Sequence, residues 1–299
     1  MVAIAAFAAA TAVAAAGLAS EARAQETVRG LEELDFRIAQ EAWAQIENAT
    51  YDDELAVIYE NDRVQVTRTN DTIFEPGNSL CWIVSEETND AEDWVDNLDL
   101  GKTKILSIEE NGNESGSPSE ECGCAFSFFG WCLRYNTCDD DSNGSYKTLG
   151  KGFSGFVNAY NGLRHDVWER VEDVCDMEND VLMIAGYSRG GALANLFGFA
   201  VYSEGLWDPE RMASITFGSP RVLVNDDSDK VHNQYYQLRL VYRDDPVPAF
   251  PMNNFGFEHF GEMHCFECQY EESRDAPSSL QLLYASDIDD HTSYEEWFD

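Results

Sequence analysis

The residues best suited to covalent chemistry form the segment Gly-Tyr-Ser-Arg-Gly, which runs from Gly186 to Gly190 with Ser188 at its centre. The apolar run 181–185 precedes it and a stretch of small residues follows, which predicts a strand, a sharp turn and a helix. Glycine is needed beside such a turn because side chains there would collide with neighbouring backbone. The pattern predicts that Ser188 is a nucleophile and that the backbone N–H of Arg189 faces a developing oxyanion.

A serine nucleophile needs a histidine base, and the chain has five histidines. When the serine sits on a strand–turn–helix elbow, the acid and then the histidine follow it in the chain. His165 precedes Ser188, and His232 precedes the strand that should present the acid, so the order excludes both. His259, His264 and His291 remain as candidates.

The acid that orients the histidine should follow a strand. Residues 238–242 have the apolar, β-branched pattern of a strand, and Asp244 and Asp245 come soon after them. The residue pattern alone leaves both carboxylates open.

Three segments of the chain resemble the class 3, or fungal-type, lipases. Residues 186–194 are similar to the family's nucleophile segment, although the family usually carries His and Leu where this chain has Tyr187 and Arg189. Residues 152–160 resemble a second family segment, and residues 215–222 contain its Thr-Phe-Gly-Ser-Pro-Arg-Val unchanged. The resemblance extends from roughly residue 80 to the C-terminus, with gaps around a Cys-rich insertion.

The resemblance implies a role for several further residues. Asp245 lies at the catalytic position of an Asp-Asp-x-Val-Pro segment, and His291 lies in an Asp-His-x-x-Tyr segment. The resemblance therefore implies the triad Ser–Asp–His, with Thr88 as the second oxyanion donor beside Arg189. Glu86 and Glu87 depart from the family, which has Arg-Gly before that donor.

Residues 91–98 correspond to the family's lid, with Trp94, Val95 and Leu98 as its apolar face; an ordinary surface helix is the alternative interpretation. The resemblance implies hydrolysis of carboxylic ester bonds in lipids through an acyl-enzyme. A non-lipid ester, such as a carbohydrate-linked aryl ester, and an inactive lipase-like binding protein are the alternatives. No cofactor or metal is required, because a triad and an oxyanion hole complete the chemistry.

The periodicity of the chain predicts an α/β fold. Helical spacing of apolar residues predicts helices over 31–47 and over the region 157–174, and short apolar runs predict strands between and after them. This alternation indicates a central, mostly parallel sheet flanked by helices, and the resemblance implies the α/β-hydrolase fold with a short lid over the active site. The segment 111–150, rich in Gly, Ser, Asn and Asp, is predicted to be a disulfide-stapled loop or insertion.

The N-terminus and the cysteines indicate a secretory route. Residues 2–18 form an alanine-rich apolar run and Ala-Arg-Ala follows at 22–24, which predicts a signal peptide over 1–24; an uncleaved anchor is the alternative. One catalytic domain over 25–299 and no transmembrane span in the mature chain are expected. Eight cysteines and four Asn-x-Ser/Thr acceptors fit an extracellular protein, although the disulfide pairing stays open. The formal net charge of −37 argues against nucleic acid as a partner. A lipid ester or a lipid–water interface is the partner that the resemblance implies.

Overall fold

The computed structural model describes residues 33–49, 56–59, 62–74, 78–85, 101–109, 124–128, 131–135, 146–267 and 288–298. The helices within these ranges are α1 (Glu33–Ala49), α2 (Ser154–Val174), α3 (Arg189–Glu204), α4 (Asn225–Val231) and α5 (Ile288–His291). The strands are β1 (Ala56–Tyr59), β2 (Asp62–Asn70), β3 (Ser79–Ser85), β4 (Lys102–Leu106), β5 (Cys124–Phe128), β6 (Trp131–Tyr135), β7 (Thr148–Phe153), β8 (Val181–Tyr187), β9 (Met212–Phe217), β10 (Leu223–Val224), β11 (Tyr236–Tyr242), β12 (Phe257–Glu258) and β13 (Glu262–Phe266).

The largest sheet contains seven strands in the order β1-β2-β3-β8-β9-β11-β13. The five strands from β3 to β13 pair in parallel, while β1 and β2 join the edge as an antiparallel hairpin. The carboxyl ends of the parallel strands therefore meet at one edge of the sheet, where an open α/β sheet places its ligand and catalytic groups. A smaller four-stranded sheet has the order β12-β10-β7-β4.

Helices cover both faces of the seven-stranded sheet, because its strands are apolar on both sides. Along β3, Cys81 and Ile83 contribute to the core under α2 and α3, while Leu80 and Trp82 contribute to the core under α1. Strands buried on both faces carry nearly continuous apolar runs, and β8 and β9 are buried along almost their whole length. The result is a three-layer α/β/α arrangement that holds the carboxyl edge of the sheet rigidly.

The predicted elements agree with those observed. The predicted helix over 31–47 is observed as α1, the stripe over 157–174 lies on α2, and the strand predicted over residues 238–242 lies within β11. The expected central, mostly parallel sheet flanked by helices is confirmed. The predicted signal peptide lies outside the described residues.

The Cys-rich insertion differs from the loop that its composition predicts. Strands β5 and β6 form an antiparallel hairpin within it, and its last residues begin β7. A local excess of Gly, Ser and Asn in the flanks conceals two short apolar runs, 124–128 and 131–135, that pair with each other.

One disulfide pairing that the sequence leaves open is visible in the structure. Cys81 on β3 is bonded to Cys175, directly after α2, across a sequence separation of 94 residues. Both residues pack in the core between the sheet and α2, so the bond ties the helix to the strand that leads toward the predicted oxyanion segment. Cys265 on β13 is also disulfide-bonded.

Candidate active site

Ser188 lies on a strained turn between β8 and α3. Its backbone has φ 54° and ψ −122°, a conformation that costs a non-glycine residue about 1–3 kcal/mol and persists only when its surroundings hold it. Its N–H donates to the carbonyl of Phe217 on the neighbouring strand β9, at 2.8 Å. A Cβ at Gly186 would lie 2.2 Å from the carbonyl oxygen of Gly190, so glycine is required there, as the sequence predicts.

His291 ends the short helix α5 and brings its ring to Ser188. The distance from His291 Nε2 to Ser188 Oγ is 2.7 Å, and the distance from His291 Nδ1 to Asp245 Oδ2 is 2.9 Å. A carboxylate only accepts hydrogen bonds, so Nδ1 carries the proton and Nε2 of the neutral ring is free to accept the serine hydroxyl proton. All three side chains are buried, with 0% exposure.

Asp245 is held in the turn after β11 by donors on both of its oxygens. Its Oδ1 accepts the N–H of Val247 at 2.9 Å, and its Oδ2 accepts the hydroxyl of Tyr294 at 2.6 Å as well as His291 Nδ1. A buried carboxylate needs such partners to remain ionised. Asp244 instead uses its backbone N–H to bind the Asp290 carboxylate at 3.3 Å, so the structure brings Asp245, and not Asp244, to the histidine.

Two tyrosines next to the histidine were not assigned a role from the sequence. Tyr294 donates to Asp245 and accepts the N–H of Tyr242 at 3.1 Å. Burial, and then the charge of Asp245, raise the pKa of Tyr294 well above 10.0, so its hydroxyl stays protonated as a donor. Tyr187 donates its hydroxyl to the backbone carbonyl of His291, and its ring stacks against the imidazole with centroids 5.0 Å apart and an interplanar angle of 29°.

Gly218 is a further residue that the site requires. It has φ +55°, and a Cβ there would lie 2.8 Å from Asp245 Oδ2 and 3.0 Å from both His291 Cε1 and the Tyr294 hydroxyl. The signal was available in the Thr-Phe-Gly-Ser-Pro segment, although the spacing alone does not say what the glycine approaches.

Arg189, the first residue of α3, has a backbone N–H without an acceptor in its helix and a side chain that forms an ion pair. No carbonyl of its own helix can accept its backbone N–H, because the first turn of a helix leaves its N–H groups unpaired. Its side chain forms a bidentate ion pair with Asp62, with Nε–Oδ1 at 2.5 Å and Nη2–Oδ2 at 2.7 Å. The ion pair is a feature that the sequence pattern did not reveal.

The remaining histidines are not brought to Ser188. His259 is buried and its Nε2 lies 2.7 Å from the carbonyl oxygen of Pro248, so it is a hydrogen-bonded core residue. His232 accepts the N–H of Gly261, and His165 packs against Tyr146. The predicted oxyanion residue Thr88, the adjacent Glu86 and Glu87, and the lid residues Trp94, Val95 and Leu98 lie outside the described residues.

Among the described residues, no cluster of three or more His, Cys, Asp or Glu side chains is arranged to hold a metal ion. The described helices also include none that is both long and apolar enough to cross a bilayer.

The fold is the α/β-hydrolase fold. Lipase II from Rhizopus niveus has a similar structure, with a TM-score of 0.54 at 16% sequence identity, over 86% of this chain and 90% of that chain. The expectation of an α/β-hydrolase scaffold is thereby confirmed.

The family model of class 3 lipases matches residues 123–255, so the resemblance predicted from the sequence is confirmed over this part of the chain. A lipase from Caenorhabditis elegans is 33% identical over 103 residues, which are 32% of this chain and 29% of that protein. The phospholipase A1-II 1 of Oryza sativa is 27% identical over 162 residues, 53% of this chain and 36% of that protein. The chain thus matches about a third of the length of these curated relatives.

Proposed function

We propose that the protein is a serine carboxylic ester hydrolase that acts on lipid esters, with Ser188, His291 and Asp245 as its triad. The observation that carries this proposal is the buried chain of contacts from Ser188 Oγ to His291 Nε2 at 2.7 Å and from His291 Nδ1 to Asp245 Oδ2 at 2.9 Å. A serine hydroxyl is a weak nucleophile until a base within hydrogen-bond reach takes its proton.

In the acylation step, Ser188 Oγ attacks the ester carbonyl carbon while its proton passes to His291 Nε2. The carbonyl oxygen becomes an oxyanion, which accepts hydrogen bonds from the backbone N–H of Arg189 and from Thr88 as the proposed second donor. When the tetrahedral intermediate collapses, the bond to the alcohol oxygen breaks, and His291 gives its proton to that oxygen. An acyl-enzyme on Ser188 and a free alcohol result.

Deacylation repeats these steps with water as the nucleophile. His291 takes a proton from the water, the hydroxide attacks the acyl carbon, and the proton returns to Ser188 Oγ as the carboxylic acid leaves. Asp245 holds the imidazole in the required tautomer and stabilises the imidazolium that forms in each half-reaction. Its bonds from Val247 and Tyr294 leave it one orientation toward the ring.

A lipid is the substrate class that we propose, for two reasons. The relatives include a lipase and a phospholipase A1, and these names support a lipid ester as the substrate class. Ser188 is 0% exposed, so a substrate reaches it only after a covering segment moves. The proposed cover is the lid over residues 91–98, whose apolar residues Trp94, Val95 and Leu98 would turn toward a lipid surface on opening.

We also propose that the mature protein is secreted as one domain over residues 25–299, with the Cys-rich insertion near 111–150, after removal of residues 1–24. The Cys81–Cys175 disulfide supports an oxidising compartment. Asn48 and Asn70 lie in Asn-x-Thr triplets and are exposed, so both are accessible to glycosylation.

The test is hydrolysis of p-nitrophenyl esters of increasing acyl length, with and without an emulsified interface, by the wild type and Ser188→Ala. Ser107→Ala serves as a control, because Ser107 is equally buried and its hydroxyl contacts Glu109 and Lys147 rather than the triad. We expect activity that rises with acyl length and at the interface, and that only Ser188→Ala abolishes. A preference for short or aromatic acyl groups without interfacial activation would favour the non-lipid esterase, and equal activity of Ser188→Ala would refute the triad.

A further inference from the structure

The residue after the nucleophile is fixed to a distant strand by a largely buried ion pair. Arg189 and Asp62 are 127 positions apart in the sequence, and both guanidinium-to-carboxylate contacts are short, at 2.5 and 2.7 Å. Asp62 is 1% exposed and the Arg189 side chain 18%. The guanidinium also lies over the ring of Phe156, 5.6 Å from its centroid. Such a planar, bidentate contact fixes orientation as well as distance.

The ion pair lies at the catalytic end of the sheet. Val64 on β2 pairs with Ser85 on β3, and Ser85 pairs with Gly186 on β8. Asp62 begins the antiparallel strand β2, two residues beyond the Val64–Ser85 pair, so it lies at the edge where the parallel strands end and where Ser188 sits. The pair therefore joins the outer hairpin of the sheet directly to the nucleophile turn.

We infer that Asp62 and Arg189 are positioning residues for the oxyanion hole. The inference rests on the proposed function. The backbone of Arg189 supplies one oxyanion donor, and its direction depends on the φ 54° turn at Ser188, which needs external support. The ion pair provides that support from the side chain of the donor residue itself. Asp62 acts through Arg189 and does not touch the triad.

The Arg189–Asp62 ion pair departs from the class 3 lipase segment that this part of the chain resembles. The class 3 lipases usually carry leucine at the position of Arg189, and leucine cannot bridge to a carboxylate. In this chain, loss of Asp62 would leave the partly buried Arg189 guanidinium without its carboxylate next to the nucleophile, and a largely desolvated charge that loses its partner rearranges its surroundings. We therefore expect the position of the Arg189 N–H to depend on Asp62.

The experiment compares Asp62→Asn and Arg189→Lys with the wild type in ester hydrolysis. Asp180→Asn is the matched control, because Asp180 is also 1% exposed and binds Arg68 in a bidentate pair, at 2.7 and 2.8 Å, but precedes the opposite end of β8. Rates are divided by the concentration of sites titrated with a fluorophosphonate, so that misfolded protein does not count.

For Asp62→Asn we expect kcat to fall roughly 10- to 100-fold, the size of effect that a displacement of about 1 Å produces, while KM changes less than about threefold. Affinity for a trifluoromethyl ketone, which forms an oxyanion on Ser188, should fall in parallel with kcat/KM. Affinity for an ether analogue, which forms none, should stay unchanged. Arg189→Lys keeps the charge but loses the fork, and should give an intermediate loss.

The double variant Asp62→Asn/Arg189→Leu keeps the test decisive if the single variant fails to fold, because it leaves no unpaired charge. It should unfold near the wild-type temperature and retain the loss in kcat. This inference alone would be overturned if the wild type hydrolyses esters and the Asp62 variants have the same kcat. It would also be overturned if Asp180→Asn loses as much kcat as Asp62→Asn. A folded wild type without Ser188-dependent hydrolysis would overturn the proposed function and the inference together.

Discussion

Replacing Tyr294 by phenylalanine removes a single oxygen that serves two buried partners. The hydroxyl donates to Asp245 Oδ2 at 2.6 Å and accepts the backbone N–H of Tyr242 at 3.1 Å. Tyr294 is 0% exposed, so water cannot replace either bond without rearrangement. The variant therefore tests whether the support of the carboxylate matters to folding, to catalysis or to both.

The effect on folding follows from the two lost bonds. A hydrogen bond to a charged group contributes about 1.5–3 kcal/mol, and a buried N–H left without a partner costs about 1–3 kcal/mol. Because such terms overlap, we expect the free energy of unfolding of Tyr294→Phe to fall by about 3 kcal/mol.

The effect on catalysis should be smaller. Asp245 keeps the N–H of Val247 and its contact with His291, so the histidine retains its tautomer. We expect kcat per titrated site to fall by about tenfold, which corresponds to roughly 1.4 kcal/mol of transition-state stabilisation. Loss of the correct histidine tautomer itself would lower kcat by a factor on the order of 10⁴.

The assay pairs urea unfolding with ester hydrolysis, and Tyr160→Phe is the control. Tyr160 is also 0% exposed, and its hydroxyl donates to the carbonyl of Leu106 at 3.2 Å, away from the triad. It should lose about 1 kcal/mol of stability and no activity. The reasoning would be refuted if both variants lost the same stability and neither lost activity.

Three further perturbations address the turn, the disulfide and the buried tyrosines. Gly186→Ala places a Cβ 2.2 Å from the Gly190 carbonyl oxygen and should lower the free energy of unfolding by about 3 kcal/mol or more, measured by urea unfolding. Replacing Cys81 and Cys175 together by alanine should lower the free energy of unfolding by about 4–5 kcal/mol, since the bond spans 94 residues, measured by urea unfolding without reductant. Burial raises the pKa of Tyr160 well above 10.0, so the unfolded chain loses this proton near pH 10 while the folded protein keeps it. Stability should therefore be fully present below about pH 10 and decline above it, less steeply in Tyr160→Phe.

Each of these three predictions has a control or an outcome that would contradict it. Gly205→Ala is the glycine control, because a Cβ there meets nothing within 4 Å and only its φ of +68° opposes the change, at about 1 kcal/mol. Equal costs at Gly186 and Gly205 would contradict the close approach at the elbow. A cysteine double variant as stable as the wild type, or an alkaline slope that Tyr160→Phe does not change, would contradict the other two.

The central residues of the site were accessible to sequence reasoning because local chemistry specifies them. Ser188 sits on a turn that only certain neighbours permit, and the order of serine, acid and histidine limits the choice of base. The resemblance then singled out Asp245 and His291, and the structure brings these two side chains to Ser188.

The supporting contacts could not be predicted, because they join residues whose proximity depends on the whole fold. Nothing near Arg189 in the sequence points to Asp62, 127 residues earlier. The same holds for the Cys81–Cys175 pairing. Tyr294 is an intermediate case, since the Asp-His-x-x-Tyr motif contains it but does not say that its hydroxyl binds Asp245.

The most direct test of the central claim is to find which residue a serine-directed probe modifies. The folded wild type is treated with a fluorophosphonate, digested and mapped by mass spectrometry, with His291→Ala alongside. The account predicts one phosphonyl adduct on Ser188, formed far more slowly in His291→Ala because the base is missing. An adduct on another residue, or no adduct on the folded wild-type protein, would contradict the assignment of Ser188 as an activated nucleophile.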